Sequence, residues 1–168
     1  MGFHSLKDVL QEELEDLHSA ETQLVGALPK MAQAAQNDQL REAFEHHLDE
    51  TREHVRRVEE ALGELGVSNP TEVCKGMKGL IAEGEEMIEK PGEPMAKDAA
   101  LIGAAQRVEH YEIAAYGTAR QLADDCGFDS IRDLMDQTLD EESQADKLLT
   151  KIATGGMFKA GVNQQATS

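Results

Sequence analysis

Tryptophan is absent from this chain, and the other aromatics are scarce: four phenylalanines and two tyrosines. No stretch alternates Val, Ile and Thr with polar residues as a half-buried strand requires, and only four prolines interrupt a sequence rich in Ala, Leu, Glu, Gln and Met. These shortages exclude a β-sandwich or barrel and leave an all-α fold. The two cysteines, Cys74 and Cys126, stand far apart with no C-x-x-C pattern, so neither an iron–sulfur cluster nor a structural zinc site has ligands. They read as free thiols of a reducing compartment. The longest apolar run, Ala99 to Ala105, is far too short to cross a bilayer. The start of the chain, Met1-Gly2-Phe3-His4-Ser5, has no basic stretch followed by an apolar core, so no signal peptide is expected and the expected location is the cytoplasm. Positive charge is also short, with 16 Lys and Arg against 33 Asp and Glu, a net charge of −17 and a pI near 4.6. A phosphate backbone would be repelled, which excludes nucleic acid as a partner.

What the chain does have is helical periodicity. Its 168 residues suit one domain with a substantial core. Ser5 can cap a first helix, with Asp8 as its capping-box partner, and an apolar stripe follows through Leu6, Leu10, Leu14, Leu17, Leu24, Leu28 and Met31. Pro29 is expected to kink its last turns. Asn37-Asp38 marks a turn and a cap before a second stripe of Leu40, Phe44, Leu48, Val55, Val58, Leu62 and Leu65, closed by Gly66. Residues 66 to 95 form a long connection holding a short helix around Met77, Leu80, Ile81, Met87 and Ile88. A third long helix runs from Ala96 to Asp124. A fourth begins at Asp129 or Ser130 and carries Ile131, Leu134, Met135, Leu139, Leu149 and Ile152. Two helical hairpins joined by a long crossover carrying a short extra helix describe a ferritin-like four-helix bundle over residues 1–153, with 154–168 expected to be a flexible C-terminal tail.

Each long helix breaks its apolar stripe with groups that should be costly to bury. Glu21 stands between Leu17 and Leu24. His47, Glu50, Thr51 and His54 share the inward face of the second helix. Glu109 and Glu112 fall on the stripe of Leu101, Ala105, Val108 and Tyr116, and Glu142 and Asp146 interrupt the fourth. Buried carboxylates cost several kcal/mol each unless something positive compensates them, and few Lys or Arg occupy matching inward positions; Arg56 and Arg57 read as outward. A metal ion is the simplest compensator. Two cations held roughly 3.5–4 Å apart would need bridging carboxylates, with Glu50 and Glu142 as the expected bridges, and terminal oxygen or imidazole ligands. Such donors suit iron or manganese. Either His47 or His54 could be the imidazole ligand. A shift of about 91 residues lays Glu21 on Glu112, Glu50 on Glu141 or Glu142 and His54 close to Asp146, so the two hairpins offer similar chemistry twice.

The segments Asp16 to Leu24, Phe44 to Thr51, Asp98 to Ile102, Val108 to Thr118 and Thr138 to Glu142 resemble the YciF/YciE family (DUF892) of ferritin-like bacterial stress proteins, over roughly residues 5 to 153. More distantly, Glu109 and Glu112 are similar to the third-helix E-x-x-E of rubrerythrin, and Glu142 with Asp146 to its fourth-helix pattern, with Asp146 where that family has histidine. The rubredoxin-like cysteine module is missing. The resemblance implies a ferritin-like bundle with an extra crossover helix and a homodimer, while the inward residues themselves make Glu21, Glu50, His54, Glu109, Glu112, Glu142, Asp146 and His47 the ligand candidates of a carboxylate-bridged site for two iron (or manganese) ions. The resemblance implies a stress-response role without an established reaction, and the chemistry expected of such a di-metal site is with O2 or peroxide, ferroxidase- or peroxidase-like. The alternative is a non-enzymatic structural or storage protein whose buried carboxylates pair with His47, His54 or His110 in a polar network. His110 sits off the stripe, a hydrogen-bond donor rather than a ligand, and Tyr111 and Tyr116 read as packing or hydrogen-bonding groups.

Overall fold

The computed structural model describes residues 2–156 and 159–167. Four long helices, α1 (Leu6–Ala34), α2 (Asp38–Leu65), α4 (Pro94–Asp125) and α5 (Asp129–Thr154), form the bundle, and α3 (Lys75–Glu89) lies in the crossover. The hairpin pairs α1–α2 and α4–α5 make the most extensive contacts, and α2–α5 and α1–α4 close the ring. α3 packs on α4 and α1.

Local chemistry sets the ends. The Ser5 hydroxyl accepts from the Asp8 amide at 3.3 Å while the Asp8 carboxylate accepts from the Ser5 amide at 2.9 Å, a reciprocal cap of the first turn. Asn37 Oδ1 accepts from Gln39 and Leu40, and Gly66, at φ 88°, supplies the left-handed residue that stops α2. α1 continues through Pro29 to Ala34, losing one amide donor without ending there. The α1–α2 turn is fastened from a distance: the fully buried Asp98 of α4 accepts from the amides of Gln36 at 3.0 Å and Asn37 at 2.6 Å.

Two apolar clusters fill the bundle. One joins Leu24, Leu28, Phe44, Leu101, Ile102 and Leu149 with Cys74 and Met77 of the crossover. The other joins Leu10, Leu14, Leu17, Val58, Leu62, Tyr116, Ile131 and Met135. Full burial of a Leu or Ile contributes about 1.5–3 kcal/mol, so each cluster supplies ample driving force. Glu21, between Leu17 and Leu24, lies where one cluster gives way to the other. Leu6, counted in the first stripe, is 52% exposed because it lies in the opening turn, beyond the end of the apolar cluster. The expected tail is not bare chain: Gly155–Gly156 (β1) pairs antiparallel with Lys159–Ala160 (β2), and α6 (Val162–Ala166) packs on α4 and α5 with Val162 fully buried.

Candidate metal centre

Between the clusters the four helices bring together Glu21, His47, His54, Glu109, Glu112 and Glu142, each no more than 6% exposed. Helical spacing explains the convergence: each of these residues takes a stripe position that would otherwise be apolar, so bundle packing turns it inward. Two ligand sets follow. Glu21, His54 and Glu142 can offer one atom each, all within 4.8 Å of one another, and so can His47, Glu109, Glu112 and Glu142. Glu142 belongs to both.

The imidazoles are aimed from outside. His54 Nε2 lies 2.9 Å from Glu141 Oε2, which also accepts from Arg57 Nη1 at 2.5 Å, leaving Nδ1 directed at Glu142 Oε1, 2.9 Å away, and Glu21 Oε1, 3.4 Å away. His47 is turned the other way round: Nδ1 lies 3.4 Å from Glu50 Oε2, and Nε2 lies 3.5 Å from Glu109 and 3.6 Å from Glu142. An outer carboxylate that fixes one ring nitrogen and presents the other is the arrangement that metal-binding histidines use. Tyr116 donates to Glu21 Oε1 at 2.5 Å. Even so, eight buried atoms find no hydrogen-bond partner among the described residues: Glu21 Oε2, His47 Nε2, His54 Nδ1, Glu109 Oε2 and both oxygens of Glu112 and of Glu142. The short His54–Glu142 approach is an ion-pair distance without hydrogen-bonding alignment.

Not every sequence candidate reaches this centre. Glu50 stands at its rim, with a side chain 28% exposed, its Oε2 shared between His46 Nδ1 at 3.3 Å and His47 Nδ1 at 3.4 Å. Asp146 lies outside both ligand sets: four residues past Glu142 its carboxylate meets the α4 surface, accepting from Gln106 at 2.9 Å and facing the exposed His110 at 3.3 Å. Arg57 corrects the outward reading, being 5% exposed, with Nη1 and Nη2 forked onto Glu141 and Nη1 also bonded to Thr138. Its signal was its place three residues after His54 on the same helix face.

A family profile described as a domain of unknown function, DUF892, matches residues 5–167. The chain belongs to the DUF892 family. Over 165 residues it is 40% identical to protein YciF of Escherichia coli (strain K12), covering 98% of this chain and 99% of that one. The crystal structure of the E. coli stress protein YciF superposes with a TM-score of 0.85 at 41% identity, over 89% of this chain and 94% of that one. YcfI of Rhodopseudomonas palustris gives 0.86 at 35% identity, over 89% and 96%. A Xanthomonas campestris protein at 23% identity, with a TM-score of 0.70, shares the fold.

Electrostatically, this DUF892 chain holds its centre in tension. Burial works against charge on both histidines, yet the carboxylates of Glu109, Glu50 and Glu142 raise His47 to about 10, and those of Glu142 and Glu21 raise His54 to about 11. Burial pushes Glu109 and Glu112 well above the usual carboxylate range; like charge from Glu142 adds to it for Glu109, and from Glu21 and Glu142 for Glu112. Burial also raises Glu21, against the pull of His54. Glu142 is the exception: burial is outweighed by its contacts with His54 and His47, and its pKa is lowered. The donor set is all oxygen and nitrogen, and no helix among the described residues is long and apolar enough to cross a membrane.

Proposed function

We propose that this protein binds two divalent iron or manganese ions in the centre of the bundle and uses them to react with O2 or peroxide. The observation that carries this reading is the set of eight unpartnered buried atoms. Each would cost about 1–3 kcal/mol if left unsatisfied, and they fall on the residues of the two ligand sets. Four carboxylates with two neutral imidazoles carry four negative charges, which two divalent cations balance. Glu21 and His54 would hold one ion, His47, Glu109 and Glu112 the other, and Glu142 would bridge them. Bound iron or manganese would supply one-electron redox chemistry. The protein's part is to aim the imidazoles through Glu141 and Glu50, to fix Glu21 through Tyr116, and to hold the centre between two apolar clusters.

The stress-protein description of E. coli YciF supports a stress-response role. A symmetric homodimer in the cytoplasm completes the reading, supported by the resemblance and by two free thiols. Light scattering is expected to give a two-chain mass, and a 12-mer or 24-mer would contradict it. The non-enzymatic reading draws on one feature: imidazolium–carboxylate pairing offsets part of the burial cost without a metal. Protein purified without chelators separates the two. Metal analysis and anomalous scattering at the iron and manganese edges are expected to show two ions per chain, and a metal-free centre after anaerobic addition of either ion would favour the structural network.

A further inference from the structure

Two openings of different character reach the centre. Between α2 and α5 a cleft of about 240 Å³ combines the polar His46, Glu50 and Gln144 with the apolar Phe44, Leu148 and Leu149 and reaches His47 and Glu109. Beneath α3 a narrower crevice of about 40 Å³ is walled by Leu28, Met31, Ile81, Gly84, Ala104 and Val108 and ends at the same Glu109. Its other polar lining is the Lys30–Glu85 ion pair, an exposed 2.6 Å contact between α1 and α3.

The crevice has room for something larger than one water, which needs roughly 10–15 Å³, but between the Lys30–Glu85 pair and Glu109 its walls are apolar side chains that give an ordered water no hydrogen bonds. Apolar cavities of this kind stay dry and take up apolar guests such as xenon. Peroxide and hydrated cations would forfeit their hydrogen bonds on entry, whereas dioxygen has none to forfeit. The crevice ends at Glu109, whose Oε2 is buried and unpartnered. We propose that the α1/α3/α4 crevice is a binding and entry site for dioxygen, separate from the α2/α5 cleft, where His46, Glu50 and Gln144 offer hydrogen bonds that the crevice walls do not. This rests on the metal-centre reading and deepens it by naming dioxygen as the substrate that arrives under α3.

Gly84 makes the test clean. A Cβ there would meet Met31 Sδ at 3.9 Å and Ala104 Cβ at 4.0 Å, ordinary contact distances, so Gly84→Ala narrows the crevice without a clash and Gly84→Leu fills it. Crystals of the wild-type protein under xenon pressure are expected to show xenon between Ile81 and Ala104, weaker in Gly84→Ala and missing in Gly84→Leu. With Fe(II) loaded anaerobically, oxidation by O2 is expected to slow by about tenfold in Gly84→Leu, while oxidation by H2O2 stays at the wild-type rate. If Gly84→Leu is too unstable to use, the same divergence in smaller measure is read from Gly84→Ala. A wild-type crevice without xenon, or O2 and H2O2 rates that fall together, overturns the proposal. Xenon bound in a protein that takes up no iron or manganese overturns the metal-centre reading instead, and an iron-loaded protein without xenon overturns only the route.

Discussion

Glu21, His54 and Glu142 form an inner half of the centre, and His47, Glu109 and Glu112 an outer half, and the two halves are supported differently. All three inner residues are fully buried, the imidazole is held by a carboxylate that is itself forked by a buried arginine, and Glu21 is held by Tyr116. On the outer side His47 leans on the half-exposed Glu50, Glu112, like Glu142, has no hydrogen-bond partner for either oxygen among the described residues, and both openings end at Glu109. The inner half is built to hold a fixed geometry, and the outer half to admit something and change contacts with it. In the proposed two-ion site one ion would be clamped and its neighbour approachable, an arrangement that suits chemistry on small molecules better than storage.

Removing the shared ligand breaks the comparison most severely. Glu142→Ala is expected to lose metal from both halves, two ions falling to none, whereas Glu21→Gln should lose the inner ion alone and Glu112→Gln the outer one. Metal analysis with anomalous maps checks the assignment, and full occupancy in Glu142→Ala would refute it. Next in size is the effect of the metal on stability. A ligand that binds only the folded chain at a hundredfold excess over its Kd adds about 2.7 kcal/mol per site, and at this chain length each such site raises Tm by about 5–10 °C. A melting temperature unmoved by Mn²⁺ or anaerobic Fe²⁺ would place these carboxylates in a structural network.

The outer supports of the inner half come third. Arg57→Ala leaves Glu141 without its fork and His54 without a fixed partner; since Glu141 keeps some solvent, about 2–3 kcal/mol is expected from urea unfolding, less than a fully buried pair would cost. Tyr116→Phe removes one hydrogen bond to Glu21, for about 1 kcal/mol, with its ring packing preserved. Glu50→Gln is expected to leave unfolding nearly unchanged, because that side chain touches the centre only through a loosely held ring on the outer side.

The helices and the inward carboxylates were legible because both follow from one signal, the 3.6-residue apolar period and its interruptions. Glu21, Glu109, Glu112 and Glu142 interrupt stripes, and the fold brings them together. Asp146 shows the limit of that signal. A four-residue step drifts about 40° around a helix, and only the neighbouring helix decides whether such a position meets the core or a groove; here Gln106 meets it. Arg57 was missed for the opposite reason, since an arginine beside Arg56 and Glu53 resembles a solvated face until the partner on α5 is known. Asp98, which ties the α1–α2 turn to α4, depends on a contact 61 and 62 residues distant that no local pattern announces. The outward turn of Glu50 is equally a matter of helix rotation, and pairwise spacing does not fix it.

A modest effect is expected on the acid side of the metal-free protein, where the carboxylates of the centre pull in opposite directions. Glu109 and Glu112 have folded pKa values raised above their unfolded ones, chiefly by burial, so the native state binds their protons more tightly and acidification from neutral pH toward the ordinary carboxylate value near 4.5 should stabilise it. Glu142 and Glu141 are lowered; their contribution is present above that ordinary value and is lost as pH falls through their folded pKa. His47 and His54, raised to about 10 and about 11, contribute fully below their unfolded value of 6.5 and lose that contribution only as pH rises toward those values. Between pH 7 and pH 5 the raised carboxylates Glu109 and Glu112, together with Glu21 of the inner half and the last part of the histidine contribution, add to stability, and apo-protein Tm should climb by a few degrees before it falls in stronger acid. Glu109→Gln, Glu112→Gln protein keeps only Glu21 of the raised carboxylates, so its Tm should start higher at pH 7 and climb less. A wild-type Tm that declines steadily from pH 7 to pH 5, in parallel with this double variant, would mean that the outer carboxylates are not under electrostatic tension and that the outer half needs no cation to settle it.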